Sequence, residues 1–451
     1  MKDCFISRRL HIRFITSLEP QVYFHDLLKA VKYLLIAIGT RGDIEPFLAV
    51  GEKLLARGHC VIAAFPSQFA HLARESGLHF LGLDPVFLEM IEGEIGKRVL
   101  GGSGNRMQRL IAFFQLWKLS TQVNNNLFRQ QRQFIEEVSP DFIIHSLKAT
   151  VPLDWGLKHK GKSILLSPIP CVVHPIKNKS SIGFRGRNMG KLLNHWSHKF
   201  MTYASVRNLR FYLKRLFQEE SSQKALESIY EGETAIYTVS PNLINTSGLP
   251  GHVKFVGYLE RDKQKHWQPN EALLAFIEKY PKFMLVTFGS MTNPKPVAKT
   301  KAIVKVLREL KIPAIINTAG GGLEEIAIDD ESIFYTSSIP YDWILPKTYA
   351  LIHHGGSGTT HLGVKYACPS LIVPHIIDQY FWSNTLHELG IGPKGISIRK
   401  LTKSKLFPLV KDLWYNEKYL IKAQQLSQKM NAEKFDHELT SILEKPISAL
   451  V

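Results

Sequence analysis

The chain has 451 residues, 45% of them hydrophobic and 21% charged, which is more than one core usually organises and excludes a disordered or fibrous class, so two domains are expected. Its four cysteines, Cys4, Cys60, Cys171 and Cys368, form neither a CxxC pair nor a Cys/His cluster, which predicts reduced thiols and no structural metal. The formal net charge is +18, and neither a clean leader nor an apolar run of the ~18 residues that span a bilayer is present, so a cytoplasmic protein with an anionic partner is expected.

The first stretch, 1–31, is anomalous, because an α/β domain usually opens on its first strand. Val31 stands where an initiating Met would be expected, and a GTG codon would be translated as Val internally. Residues 1–30 are therefore read as a mis-assigned start or a loose extension, with a small helix around Tyr23 to Val31 as the alternative. Lys32 to Gly39 is a short apolar run stopped by glycine, the pattern of a buried parallel strand. The loop Thr40-Arg-Gly-Asp-Ile-Glu-Pro46 follows, then helical spacing from Phe47 to Arg57 and a strand at Cys60 to Phe65, which makes a βαβ unit. A helix at Gln68 to Ser76, a strand at Leu78 to Leu81, helical segments from Val86 to Val138, and strands at Asp141 to His145 and Ser163 to Ser167 continue the alternation.

Between Trp155 and Gln218 stand 13 Lys or Arg and no Asp or Glu. Within that stretch Leu192, Trp196, Phe200, Tyr203, Val206, Leu209, Leu213 and Leu216 recur at helical steps, flanked by Lys191, Lys199, Arg207, Arg210, Lys214 and Arg215. Such a helix either packs its stripe on the core or lies in an anionic membrane interface.

Thr234 to Leu259 reads as strand, turn-rich segment and short strand. The second half repeats the first, with strands at Phe283 to Phe288, Ala314 to Asn317, Ile333 to Tyr335, Ala350 to His353 and Ser370 to Val373, and a helix around Val297 to Leu310. Two parallel-sheet α/β domains follow from this alternation. The divisions expected are 32–235, a linker at 236–280, 281–420, and C-terminal helices at 421–451 that cross back to the first domain.

Chemistry concentrates in a few loops. His353-His354-Gly355-Gly356-Ser357-Gly358-Thr359-Thr360 follows an apolar strand directly. Small residues there let backbone amides approach a phosphate at a helix N-terminus. This turn has neither the GK[ST] ending of a P-loop nor the GxGxxG order of a dinucleotide fingerprint, which disfavours kinases and dinucleotide enzymes. Asp378-Gln379, past the strand at Leu371 to Pro374, can grip sugar hydroxyls, and Ser290 in Phe288-Gly-Ser-Met291 can add a hydroxyl to the phosphates. All three loops fall on one sheet edge.

The segment Pro340-Tyr-Asp-Trp-Ile-Leu-Pro346, HHGGSGTT, Pro374-His-Ile-Ile-Asp-Gln-Tyr-Phe-Trp382 and Leu386-His-Glu-Leu-Gly-Ile-Gly-Pro393 resembles the donor signature of glycosyltransferase family 1. Gly39-Thr-Arg-Gly-Asp-Ile-Glu-Pro46 is similar to the loop of its sterol glucosyltransferases and bacterial antibiotic glycosyltransferases. The resemblance covers most of Lys32 to Lys422 and is weak from Phe87 to Glu233, where such enzymes build acceptor pockets. It implies a GT-B fold and inverting, metal-independent transfer of a hexose, glucose above all, from a UDP-sugar co-substrate to a hydroxyl of a sterol, terpenoid or lipid, with no other cofactor. The first domain would bind acceptor and the second the nucleotide sugar.

By the same resemblance His353 contacts the diphosphate, with His354, Gly355, Gly356, Ser357, Gly358 and Thr359 around it. Asp378 and Gln379 hold the hexose, and Trp343 lies by the nucleobase. Plant members carry Glu eight residues after the phosphate-binding His to hold ribose, whereas this chain has His361 there. No DxD triplet occurs. Asp43 is the candidate base, supported by Gly39, Thr40, Arg41 and Gly42, and the bland alternative is that it caps a helix. His145 and His174 either line an acceptor cavity or are structural, and Phe113, Phe114 and Trp117 fill core or line a greasy pocket. The competing functions are glycosylation of a soluble macrolide or glycopeptide from a UDP- or TDP-sugar, a UDP-sugar epimerase, and a non-catalytic nucleotide-sugar or nucleic-acid binder. Intact Asp43 and Asp378-Gln379 argue against the last, and no nucleic-acid partner is expected.

Overall fold

The structure, a computed structural model, describes residues 30–86, 106–261, 267–293 and 295–445, and of 106–119 the backbone alone. The extension before residue 30, most of its suggested helix, and the side chains of Phe113, Phe114 and Trp117 lie outside the described residues.

Seven parallel strands form the first sheet: β1 (Lys32–Ile36), β2 (Cys60–Pro66), β3 (His79–Leu83), β4 (Phe142–His145), β5 (Ser163–Ser167), β6 (Thr234–Tyr237) and β7 (Val253–Phe255). Their order is β3-β2-β1-β4-β5-β6-β7. Tyr33, Leu34, Leu35 and Ile36 are all buried, as expected of a strand with helices on both faces. Those helices are α1 (Arg41–Ala56), α2 (Ala70–Glu75), α3 (Arg106–Val138), α4 (Val151–Lys158), α5 (Lys191–Tyr212) and α6 (Gln223–Gly232). α1 begins at Arg41 rather than Phe47, because Thr40 and Asp43 close its first turn as a capping box and Pro46 falls inside the helix.

β7 pairs in parallel with β6, so the stretch read as a linker from 236 still belongs to the first sheet. The strand is three residues long and follows a Pro-, Asn- and Gly-rich turn, which left little apolar run to mark it.

The second sheet has β8 (Met284–Thr287), β9 (Ala314–Asn317), β10 (Ile333–Thr336), β11 (Ala350–His353) and β12 (Ser370–Ile372), in the order β10-β9-β8-β11-β12, again parallel. Around it lie α7 (Glu271–Lys279), α8 (Pro296–Glu309), α9 (Tyr341–Ile344), α10 (Ser357–Lys365), α11 (Ile377–Glu388), α12 (Lys403–Tyr415) and α13 (Glu417–Asn431). A last helix, α14 (Asp436–Glu444), packs on the first domain: Leu439, Ile442 and Leu443 join the cluster of Tyr33, Phe47 and Phe65. Tyr33 donates its hydroxyl to Leu443 O at 3.1 Å, and Arg57 pairs with Glu444 at 2.5 Å. No helix among the described residues is long and apolar enough to cross a membrane.

The expected apolar stripe of α5 is not one face. Val206, Leu209 and Leu213 are buried, but Leu192, Trp196, Phe200 and Tyr203 are exposed, and the first half of the helix turns Asn194, Ser197, His198 and Thr202 inward. Hydrogen bonds explain the reversal, since Ser197 Oγ accepts from Ser181 N and Asn194 Oδ1 from Met189 N, both at 2.9 Å.

The halves are tied at several points. Arg261, past β7, reaches α1 and α2 through Glu45, Glu52 and Ser76 at 3.1, 2.9 and 2.7 Å. A turn at Ile182–Phe184 packs on α11, where Arg185 lies 4.4 Å over the Tyr380 ring and Lys179 pairs with Glu388 at 2.6 Å.

Candidate functional site

Each sheet reverses its strand order once, between β1 and β4 and between β8 and β11, and such switch points open the crevices where α/β proteins bind ligands. The loops after these four strands carry most of the candidate residues. After β1 comes Gly39 to Asp43, and after β4 comes Lys148, which the sequence reading did not single out. The loop after β8 holds Ser290, and the turn from His354 to Gly358 follows β11.

Asp43 stands at the third position of α1. Its Oδ2 accepts from Thr40 N at 2.8 Å, Thr40 Oγ1 at 3.2 Å and Lys148 Nζ at 3.3 Å, and among the described residues these are the bonds to the carboxylate. The capping reading of Asp43 is therefore correct as local structure, yet it uses one oxygen and leaves Oδ1 for a ligand. Gly39, at φ +146°, lets the carboxylate fold back over the strand end. Gly42 is the next residue of the same first turn, and Arg41 pairs with Glu45 at 2.8 Å on the rim.

In the second domain His353 ends β11 fully buried, and its Nδ1 accepts from Gly355 N at 3.2 Å, which shapes the turn. The ring between the two loops is that of His354: a Cβ on Gly289 would lie 2.9 Å from its Cε1, and one on Gly356 2.4 Å from its Nε2. Burial lowers His353 to about 3 and His354 well below the usual imidazole value, so both rings are neutral and each can donate one N–H. Among the described residues His353 Nε2, His354 Nδ1 and His375 Nε2 are buried without a partner, as a site that awaits an anion would have them. Gly356 caps α10, which Ser357, Gly358 and Thr359 open, so the positive end of that helix lies at the same edge. Ser290 is exposed, and its loop is braced by Gly320, whose added Cβ would meet Gly289 O at 2.3 Å.

Gly355, at φ +95°, brings this turn against α11, since a Cβ there would be 3.2 Å from Gln379 Cβ. Asp378 occupies the first turn of α11, half-buried. Burial first, then the charge of Asp43, push its carboxyl up to about 6, with Lys148 acting the other way. Asp43, Lys148 and Asp378 thus meet electrostatically across the cleft. Gln379 has a different place from the expected one. Its Oε1 accepts from His375 N at 2.7 Å and Ile376 N at 3.2 Å, its Nε2 points at Met291 Sδ, and it is buried, so it caps its own helix.

His361, at the ribose-holding position of plant members, is also committed elsewhere. Its Nε2 accepts from Ser240 N of the first domain at 3.2 Å, its Nδ1 lies 2.7 Å from Ser357 O, and burial lowers it to about 4. Trp343 turns to Trp267, with ring centroids 5.0 Å apart, and Lys347 lies 4.1 Å over it. Tyr341, two residues earlier, reaches the site instead: its hydroxyl meets Thr287 Oγ1 at 2.8 Å and also Thr359. His145 binds buried Glu233 at 3.1 Å and His174 the Tyr237 hydroxyl at 2.9 Å, so both are structural. Among the described residues no three His, Cys, Asp or Glu side chains gather as metal ligands.

Known proteins resemble this chain in sequence and in fold. Residues 33–153 match the glycosyltransferase family 28 N-terminal domain, and residues 309–445 the C-terminal domain of erythromycin biosynthesis protein CIII-like proteins. A sterol 3-beta-glucosyltransferase of Arabidopsis thaliana is 26% identical over 430 residues, 89% of this chain and 63% of its own length. One from Candida albicans is 26% identical over 458 residues, 97% of this chain and 28% of its own. The chain thus spans less than two thirds of the curated relatives it matches. The calicheamicin glycosyltransferase CalG4 superposes with a TM-score of 0.67 at 14% identity, over 92% of this chain and 98% of that one. The kitacinnamycin glycotransferase gives 0.66 at 18% identity, over 93% and 100%.

Proposed function

We propose, from a chain of the GT-B fold with glycosyltransferase relatives along most of its length, that it transfers a hexose from a nucleotide-diphosphate sugar to a hydroxyl of a lipophilic acceptor, with inversion. The observation that carries this reading is the pairing of two half-sites: a carboxylate with one oxygen uncommitted among the described residues, opposite a helix N-terminus lined by buried imidazoles that lack partners there. The acceptor hydroxyl gives its proton to Asp43 Oδ1 as its oxygen attacks the anomeric carbon. The bond from that carbon to the β-phosphate oxygen breaks, and the nucleoside diphosphate leaves. Charge growing on the diphosphate meets the amides of Ser357 to Thr359 and the His354 ring, which do here without reorganisation what a metal ion does in other enzymes. Asp378 holds hexose hydroxyls and Gln379 holds Asp378's helix in place. UDP-glucose and a sterol-, terpenoid- or lipid-type alcohol are the first substrates to test, in a cytoplasmic enzyme.

A TDP-sugar and a soluble secondary metabolite form the second reading, favoured by structural neighbours such as a spinosyn rhamnosyltransferase complexed with thymidine diphosphate, which superposes with a TM-score of 0.59 at 15% identity. Incubation with radiolabelled UDP- and TDP-sugars, each with a total lipid extract or a panel of soluble aglycones, separates the two. Label entering the organic phase from a UDP-hexose supports the first reading, and transfer to a soluble aglycone supports the second. No transfer from any nucleotide sugar, by protein that binds UDP, overturns both.

A further inference from the structure

The outward face of α5 is built for contact. Leu192, Trp196, Phe200, Tyr203, Arg207 and Arg210 follow one another at three- and four-residue steps and are all exposed, Leu192 by 85% and Trp196 by 54%. The face is graded, apolar and aromatic over its first three turns and cationic over its last. Trp196 and Phe200 stack at 5.3 Å, and Phe184, from the turn that packs on α11, meets both edge-on at 5.9 and 6.2 Å. The aromatic group therefore has an ordered shape of its own. Polar residues fill the inward side at the same level, so packing among the described residues does not explain the outward apolar ones. An exposed patch of this kind marks an interaction site.

Charge says what the site meets. The stretch 155–218 has 13 bases and no acid, and at the far end of α5 Arg207, Arg210, Lys214 and Arg215 line, with Phe211 and the acids Glu219 and Glu220, a concavity of about 610 Å³. A protein partner would need an acidic rim around an aromatic socket. A bilayer offers both halves of the match at once, apolar depth for Trp196 and Phe200 and anionic headgroups for the bases.

We infer that the exposed face of α5, with Phe184, docks on an anionic lipid surface, with Leu192, Trp196 and Phe200 entering the interface and Lys191, Arg207 and Arg210 meeting headgroups. The docked turn at Ile182–Phe184 rests on α11, which carries Asp378, so the mouth of the cleft lies beside the bilayer.

The test is sedimentation of the full chain with phosphatidylcholine vesicles, with or without 30 mol% phosphatidylglycerol, at about 0.05 and 0.5 M NaCl. Binding to the anionic vesicles at low salt and its loss at high salt are expected. The pair K191E/R207E should weaken binding about tenfold or more, and W196S/F200S should weaken it similarly, with melting temperatures near wild type because all four side chains are exposed. The chain has seven Trp, so depth is read by difference: lipids brominated on the acyl chain should quench wild-type fluorescence and quench Trp196→Phe less, while that variant still binds. No binding at low salt, or binding that ignores both pairs, overturns the inference. So does a change in oligomeric state of W196S/F200S with vesicle binding intact, which would assign the face to a second copy.

Discussion

A Cβ on Gly39 would stand 2.1 Å from Asp43 Oδ2 and 2.8 Å from Lys148 Nζ, so the glycine at the end of β1 fixes where the candidate base can sit. Gly39→Ala should displace the carboxylate by about an ångström and lower turnover about 10²-fold. UDP affinity, measured by calorimetry, should stay near wild type because the donor loops belong to the other sheet.

Asp43→Asn tests the proton-accepting role with the capping role preserved, since an amide oxygen can still accept from Thr40 N. Turnover should fall about 10²-fold or more with little change in melting temperature. Asp43→Ala should lose the cap as well, and melt lower by about 1 kcal/mol of stability. Activity retained in the Asn variant would remove Asp43 from the mechanism.

The two histidines of the Gly-rich turn should separate. His354→Ala, whose ring lies between the Gly289 and Gly356 loops, should weaken UDP binding about tenfold with a modest change in melting temperature. His353→Ala should lower the melting temperature more, because Gly355 N loses its acceptor inside a packed strand end. An unchanged UDP affinity in both variants would place the diphosphate elsewhere.

Asp378 gives a pH signature. Its folded-state carboxyl is raised to about 6 from 3.8, so kcat/KM should fall as pH drops through about 6 if the ionised form holds the sugar. Lys148→Met removes the cation that opposes the shift and should move that limb upward. For stability the sign is reversed from the usual acid. The native state binds more protons between 3.8 and about 6, so this group destabilises the fold as pH rises through that window. Asp378→Asn should therefore melt higher by about 2 °C at pH 8, a gain that vanishes below pH 3.8, while losing activity.

His361→Ala should act on the junction between the halves rather than on the donor. It leaves Ser240 N buried without an acceptor, a cost of about 1–3 kcal/mol, so the melting temperature should drop by about 1–3 °C while UDP affinity holds. A large loss of UDP affinity at unchanged stability would return His361 to the ribose.

Much of this candidate site is legible in the sequence. The strands Lys32–Ile36 and Ala350–His353 are built on the apolar runs Tyr33 to Ile36 and Ala350 to Ile352 and lead into glycine-containing loops, and those loops hold Asp43 and His354 because a parallel sheet presents its carboxyl edge to ligands. Lys148 was not legible: it is a single lysine in Ser-Leu-Lys-Ala-Thr, 105 residues from Asp43, and only the neighbouring of β1 and β4 brings it there. Tyr341 lies in Pro340-Tyr-Asp-Trp-Ile-Leu-Pro346, but nothing in the spacing says that it, and not Trp343, faces Thr287 and Thr359. The amide of Gln379 suits sugar hydroxyls, but its position at the third residue of α11 makes it a cap. The stripe of α5 shows the limit of periodicity, which finds an apolar series but not where a polar loop has taken the inward side.

α14 closes the face of the first domain with Leu439, Ile442 and Leu443, against residues that begin at Tyr33. During synthesis the first sheet therefore leaves the ribosome long before its own cover does, and it waits with Tyr33, Phe47 and Phe65 uncapped while the second domain is made. The domain begun first is finished last. A nascent chain stalled before residue 436 should engage chaperones, and one released past residue 444 should not.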